Sequence, residues 1–572
     1  MTDNNRERNL QFGFYALAFG VALAIRLIRL GELPLGDDEA RWALQALNLT
    51  KGLKPILGPQ PAYVMLTSLI MFIFQSSNFA ARLIPALFGG FLTFVPFYFR
   101  DRLGKKTALV LAFLLAFDPG FLAISRQVGS PILAAVGLMF AWGTWRKNNL
   151  PASGIWSGLA LLSGPTLWPG LLGLGVTFGL LKGFFHGLSV ESDNETSDIA
   201  MMSRNSWLTL AAYTVGTYVL VGSCFLMAAG GLSAGLASIP AYLGGWLDFT
   251  DVPAIRMLTG LLVYELFALI LALVGLVRGI IRRDELVIKL GVWLLVSLVF
   301  ATAYPSRQVS DLVWVLIPLL ALASIEISSC LVPIQDGNLE TIGMMIFTSA
   351  ILVFGGLNYA AIALAPLDQA AIQLRWWIFL GSLALLVISI SLVAFGWSTA
   401  TAFQGGQWGT VVVFAVVSLS TAIASGELRT YRTLELWQTG AYTGQVQTLV
   451  SQMNDLSRWK AGVNSSLDVT IAGVDSPALL WALRNWNLTV LDDANLSGST
   501  PSVVIASDQF ASSDVESIYR GQDLSWRIYP LWNQGLMADW LKWSILHQFP
   551  SNDEKIILWI RSDVFIDSQN EQ

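Results

Sequence analysis

The chain has 572 residues, 54% hydrophobic and only 13% charged, with a mean hydropathy of +0.59 and a formal net charge of −5. A soluble globular protein carries about 25% charged residues. The deficit, joined to repeated long apolar runs, excludes a soluble enzyme and any nucleic-acid partner, and places the chain among polytopic membrane proteins with the bilayer as a partner. The two cysteines, Cys224 and Cys330, both lie in apolar runs, and the two histidines are His186 and His547. This composition gives neither a disulfide framework nor a histidine–cysteine metal cluster.

In chain order, the apolar run Phe12 to Ala24 opens a first span over 11–28 and has no small-residue cleavage site after it. It reads as an uncleaved anchor. Residues 29–78 form a first outer loop. It contains Gly36-Asp37-Asp38-Glu39-Ala40-Arg41 and the apolar run Ala62 to Phe74, which is short for a crossing and is expected to lie along the membrane. Twelve further spans are expected at 79–99, 107–125, 130–146, 152–164, 166–182, 207–228, 256–277, 286–303, 311–332, 342–364, 376–395 and 408–425. The acidic segment Glu191 to Asp198 is expected to be a solvated loop.

Basic clusters follow three of these spans: Arg100, Arg102, Lys105 and Lys106; Arg146 and Lys147; and Arg278, Arg282 and Arg283. They put the N-terminus in the cytoplasm of a plasma-membrane protein. Arg26, Arg29, Arg41, Lys51 and Lys54 then fall outside, as suits a loop that holds an anionic ligand. With thirteen spans the chain after Ser425 is extracytoplasmic. From Glu427 onward it carries 17 acidic and 10 basic residues, a balance of −7, against +2 for the rest.

The expected architecture is an all-α polytopic bundle of about 13 transmembrane helices over residues 1–425, with a small extracytoplasmic α/β domain over 426–572. In that domain helical patterns run over 444–459, 477–486 and 535–547. Strand patterns run over 468–474, 488–491, 502–506, 526–531 and 556–560.

Carboxylates beside a bilayer are costly to hold unless they do something. Asp37, Asp38 and Glu39 have two compatible readings. One is a general base for an acceptor hydroxyl or amine. The other is the acidic first turn of a helix continuing through Ala40-Arg41-Trp42. Arg307, at the outer mouth of the span that follows it, is placed to grip a lipid phosphate, or to snorkel or pair with Asp311. Arg82, Arg126, Arg256 and Arg375 are weaker versions of the same idea. Asp118 has a capping or pairing reading with Arg126 beside a functional one. Glu265 lies within a span, where a carboxylate is by default a functional hypothesis. The nine tail tryptophans read mainly as core, and sequons such as Asn464-Ser465-Ser466 carry no weight alone.

The ordered series of these motifs resembles the GT-C glycosyltransferases of the protein mannosyltransferase and aminoarabinose transferase type. Pro34-Leu35-Gly36-Asp37-Asp38-Glu39-Ala40-Arg41-Trp42-Ala43 resembles their first outer loop. Pro61-Ala62-Tyr63 resembles the start of their juxtamembrane helix, and Ala80-Ala81-Arg82-Leu83-Ile84-Pro85 that of their second span. Arg100 to Lys106 resembles their basic turn, and Leu115-Ala116-Phe117-Asp118-Pro119 the end of their third span. The likeness of layout covers about residues 10–330, with motif detail to about 150.

The resemblance implies a hexosyltransferase that moves a sugar from a polyprenyl-phosphate donor to an acceptor protein, lipid or glycan on the outer face. By position Asp38 becomes the base, with Glu39 and Asp37 as neighbours. The implied substrate-binding set is Arg307, Arg82, Arg126, Arg41 and Tyr63, with Arg307 on the donor phosphate. Many relatives place a second acid a few residues after an arginine in the second outer loop. Here that stretch is Ser125-Arg126-Gln127-Val128-Gly129-Ser130-Pro131. Without the acid, the resemblance leaves open whether a divalent metal is bound, and a non-catalytic protein that binds or helps flip a polyprenyl-phosphate glycan is the alternative. An ion-coupled transporter would need internal repeats and several mid-span charges, and Glu265 alone is a candidate.

Overall fold

The computed structural model describes residues 2–129, 131–184, 204–250, 252–330, 339–364, 368–429, 433–491, 500–508 and 518–565. The segment Glu191 to Asp198 and Ser130 lie outside them.

Each expected span falls largely on helix, although the span expected over 207–228 leaves its helix at Gly222 and turns through residues 223–228. Among the described residues, seven helices are long and apolar enough to cross a bilayer: Asn9–Leu27, Asn78–Leu103, Glu285–Ala303, Val309–Ser329, Leu339–Ala363, Gln369–Gly396 and Thr399–Ser425. Two more expected spans are bent pairs, Lys105–Phe117 with Pro119–Ser125 at 54° and Ala254–Tyr264 with Leu266–Arg282 at 91°, which raises the count to nine. The remaining four fall on Pro131–Arg146, Leu150–Leu161, Leu167–Phe184 and Arg204–Gly222, which do not meet the same test. The expected run Ala62 to Phe74 is the helix Pro61–Phe74.

The first bend has a local cause. Asp118 precedes Pro119 and takes extended geometry, ψ 127°, as a residue before proline favours. Its Oδ1 then accepts from Phe121 N at 2.7 Å and starts the next helix. The carbonyls of Leu115 and Ala116, orphaned by the break, accept from the fully buried Arg26 guanidinium at 3.2 and 3.1 Å. At the second bend Glu265 leaves the helix, and its Oε1 accepts from Gly120 N at 3.4 Å. The two breaks therefore face each other in the core.

The C-terminal region holds one six-stranded sheet: β1 (Tyr442–Thr443), β2 (Asp468–Ala472), β3 (Asn487–Leu491), β4 (Val503–Ser507), β5 (Tyr519–Pro530) and β6 (Ser551–Arg561). The strand order is β1-β5-β6-β4-β2-β3, with β2 parallel to β3 and β4 and the other pairs antiparallel. Strands β2 and β4 are Val/Ile/Ala runs buried along most of their length, as central strands covered on both faces require. The β5–β6 register breaks between Ser525 and Arg527. Such an irregularity re-aims a side chain, and Arg527 leaves the sheet toward the membrane region.

Candidate active site at the first loop

The acidic knot opens the helix Asp37–Thr50, where three carboxylates sit at the positive end of the helix dipole. The fold then sends each one to a different task.

Glu39 is 6% exposed. Its carboxylate accepts from Arg82 Nε at 3.0 Å and Nη2 at 2.5 Å, from Val128 N at 2.8 Å and from Gly36 N at 3.2 Å. Arg82, 5% exposed, also donates to the carbonyls of Leu30, Leu33 and Pro34. This ion pair ties the first loop to the helix Asn78–Phe91, and the bond from Val128 N ties it to the second loop. Tyr63 is equally committed: it is fully buried and its hydroxyl donates to Ala81 O at 2.8 Å.

Asp37 turns to the sheet domain. Its Oδ1 accepts from Ser476 Oγ at 2.6 Å and Ala478 N at 2.9 Å, and its Oδ2 from Arg527 Nε at 2.6 Å. It therefore caps the short helix Pro477–Ala482 of that domain. Trp481 Nε1 donating to Asn78 Oδ1 and Arg484 donating to Ser76 O extend the same junction.

Asp38 is the carboxylate left over. It is exposed and makes no hydrogen bond or ion pair within the described residues. The chain at Gln438-Thr439-Gly440-Ala441 nonetheless passes close over it. A Cβ on Gly440, whose φ is +82°, would stand 2.8 Å from Asp38 Oδ2. Desolvation by this surrounding protein pushes the Asp38 pKa above its ordinary value. Arg41 opposes that shift, and Asp37 and Glu39 reinforce it. Arg41, one turn on, is exposed and is the only arginine of the expected substrate set that forms no hydrogen bond in the described structure.

The other expected phosphate ligands each donate to protein oxygens. Arg126 Nη1 donates to the carbonyls of Ile25, Arg26 and Ile28, closing the end of the first helix. Arg307 donates to the carbonyls of Val252, Thr302 and Tyr304 at 2.8, 3.2 and 3.0 Å. Asp311 does not pair with it and accepts from Gln308 N instead. Arg256 reaches Asn533 Oδ1, and Arg375 reaches Asn358 Oδ1. A small cleft lies behind the knot, lined in part by Arg29, Glu39, Arg82, Arg126, Glu427 and Gln438.

Asp37 and Glu39 are saturated by protein donors, Asp38 stands alone, and among the described residues no three His, Cys, Asp or Glu side chains gather. At the second loop Val128 N fills one lobe of Glu39. Gly129 holds φ +139°, a conformation that side-chain-bearing residues rarely adopt.

Sequence reasoning missed a second group of buried polar residues. Tyr264 donates to Glu435 Oε2 at 2.6 Å, and His547 Nδ1 lies 3.1 Å from the same oxygen. This cluster joins the 91° bend to the sheet domain, and no spacing signal links residues 171 and 112 positions apart.

The architecture has known counterparts. ArnT from Cupriavidus metallidurans, an aminoarabinose transferase, matches in two solved structures. The one bound to undecaprenyl phosphate has a TM-score of 0.54 at 12% identity, covering 96% of this chain and 99% of that one. The apo form has a TM-score of 0.51 at 13% identity, covering 97% and 99%. The chain has the GT-C fold. An archaeal oligosaccharyltransferase, AglB from Archaeoglobus fulgidus, matches at a TM-score of 0.45 and 12% identity over 98% of this chain and 77% of that one. That score is too low to carry an argument. No family model matches the sequence, and no curated protein does. At these identities the likeness establishes the GT-C fold alone, so the chemistry must be argued from the residues.

Proposed function

We propose that this GT-C protein is an integral-membrane glycosyltransferase. It moves a sugar from a polyprenyl-phosphate donor to an acceptor protein, lipid or glycan on the outer face of the plasma membrane. The N-terminus is then cytoplasmic and the sheet domain extracytoplasmic. The observation that carries the reading is the division of the acidic knot: two carboxylates are consumed by the fold, and Asp38 remains unpartnered beside the docked domain. A base needs free lone pairs and a pKa raised toward the working pH, and Asp38 has both.

In this mechanism Asp38 takes the proton of the acceptor hydroxyl or amine as its O or N bonds to the anomeric carbon. The bond from that carbon to the phosphate oxygen breaks, and the lipid phosphate leaves with the electron pair. Attack in line inverts the anomeric centre. Arg41, exposed one helical turn from Asp38, is the uncommitted cation for the departing phosphate. Arg82, Arg126 and Tyr63 serve by holding the backbone beside the site.

A second reading rests on the second loop. Gly129 and Ser130 occupy the sequence positions where an acid is expected, so a protein that binds or helps flip a polyprenyl-phosphate glycan without transfer keeps the same lipid site. Purified protein in lipid, given radiolabelled polyprenyl-phosphate sugars, separates the two. Transfer that vanishes in Asp38→Asn establishes the enzyme. Donor binding without transfer, weakened in Arg41→Ala, establishes the binding protein.

A further inference from the structure

Two loops away from Asp38 expose large apolar side chains side by side. In the first, Lys51-Gly52-Leu53-Lys54-Pro55-Ile56-Leu57, Ile56 is 96% exposed and Leu53 more than half exposed. The second follows the helix Arg204–Gly222. There Cys224, Phe225 and Leu226 hold φ values of 48°, 54° and 73°, three consecutive left-handed residues without a glycine. Such a run is costly for L-residues and persists only where surrounding bonds impose it. Here Phe225 N donates to Leu220 O, Leu226 N to Ser223 Oγ and Ala228 N to Ser223 O, at 2.7, 2.9 and 2.8 Å. The strained turn throws Phe225, Leu226 and Met227 outward, the last two 75% and 73% exposed.

The loops are neighbours. Leu57 stands 3.8 Å from the Cβ position of Gly230, and Gly231 lies against Met65 of the helix Pro61–Phe74. The helix Arg204–Gly222 itself exposes Leu208, Val215 and Leu220. The charge around Leu53 and Ile56 has one sign. Lys51 and Lys54 are exposed, and the chain carries no acidic residue between Glu39 and Asp101.

We infer that Leu53, Ile56, Phe225, Leu226 and Met227 form one surface that inserts into the anionic phospholipid leaflet on the first-loop side, with Lys51 and Lys54 on the headgroup phosphates. Apolar side chains dip below the headgroups while lysines stay at their level, which is the pattern of an interfacial anchor. The anchor seats the helix Pro61–Phe74, and with it the base of the first loop, at a fixed depth. The inference does not depend on the transfer reaction.

The test uses the full chain in nanodiscs, spin-labelled at Ile56→Cys or Leu226→Cys, with Thr448→Cys on the exposed face of the sheet domain as the aqueous reference and the unsubstituted chain as labelling background. Collision with oxygen relative to a water-soluble nickel chelate reads immersion. We expect a ratio several-fold above the reference at both positions. A ratio equal to the reference at either one overturns the joint surface. Lys51→Gln together with Lys54→Gln should lower the ratio at Ile56 in bilayers containing anionic phospholipid and leave it unchanged in zwitterionic ones. An equal effect in both bilayers overturns the anionic assignment.

Discussion

Asp37 and Arg527, 490 residues apart, meet across the junction of the membrane region and the sheet, with Arg527 Nε donating to Asp37 Oδ2 at 2.6 Å. Both side chains are less than a fifth exposed, and Arg527 Nη1 also holds Glu554 at 3.0 Å. The pair fixes the sheet domain against the turn that carries Asp38. Arg527→Ala should cost about 1–3 kcal/mol of docking stability, because it leaves a half-buried carboxylate short of its charged partner. Hydrogen exchange should quicken together at residues 36–41 and 476–482. Unchanged exchange in both segments would remove the pair from the docking account.

Glu39 and Arg82 form the more deeply buried pair, with side chains 8% and 6% exposed. Breaking a buried pair from one side strands a charge, at about 3–5 kcal/mol. Glu39→Gln should therefore lower the melting temperature steeply. Arg82→Lys should lower it as well, since a lysine cannot supply the two parallel donors that Glu39 accepts from Nε and Nη2. Thermal unfolding in detergent checks both variants, and a mild effect in each would show the pair to be peripheral.

The helices were legible because apolar runs of span length are a composition signal. The bend at Asp118 was half legible, since a residue before proline disfavours helix. The bend at Glu265 had neither proline nor glycine to mark it, and the group its carboxylate meets, Gly120 N, lies 145 residues away. The acidic knot was found from its charge, but the roles within it were not. Asp37, Asp38 and Glu39 look alike as neighbours on one helical turn. They are separated only by long-range partners, Arg527 for one and Arg82 for another. Arg307 shows the same limit: its Nε and Nη1 donate to the carbonyls of Val252, Thr302 and Tyr304, partners that no sequence pattern reveals.

The raised pKa of Asp38 fixes the sign of two pH effects. Desolvation lifts it and Arg41 partly restrains it. Because the folded value lies above the unfolded one, the folded state binds the proton more tightly. Ionised Asp38 then opposes folding above that window, and stability falls as pH rises through it. Asp38→Asn should accordingly leave thermal stability at neutral pH equal or higher while abolishing transfer. The acidic limb of kcat/KM should lie above the usual aspartate value of about 3.9, and Arg41→Ala should move it further up. A limb that stays in place in Arg41→Ala would detach Arg41 from the base.

Gly440 offers the sharpest test of how the sheet domain shapes the site, because Gly462 supplies its control. Both glycines hold positive φ, +82° and +69°, so alanine at either pays a similar backbone cost of about 1 kcal/mol. Their surroundings differ. A Cβ at Gly462 meets nothing within 4 Å, whereas one at Gly440 meets Asp38 Oδ2 at 2.8 Å. Asp38 has no other bond to hold it, so Gly440→Ala should turn its carboxylate away rather than unfold the junction. Displacing a base by a fraction of an ångström to an ångström costs about 10- to 100-fold in rate. Gly440→Ala should thus lose transfer while melting close to Gly462→Ala, which should keep its rate. If the two variants transfer equally well, the 438–441 segment does not border the reacting groups, and the sheet domain acts only as a docked neighbour.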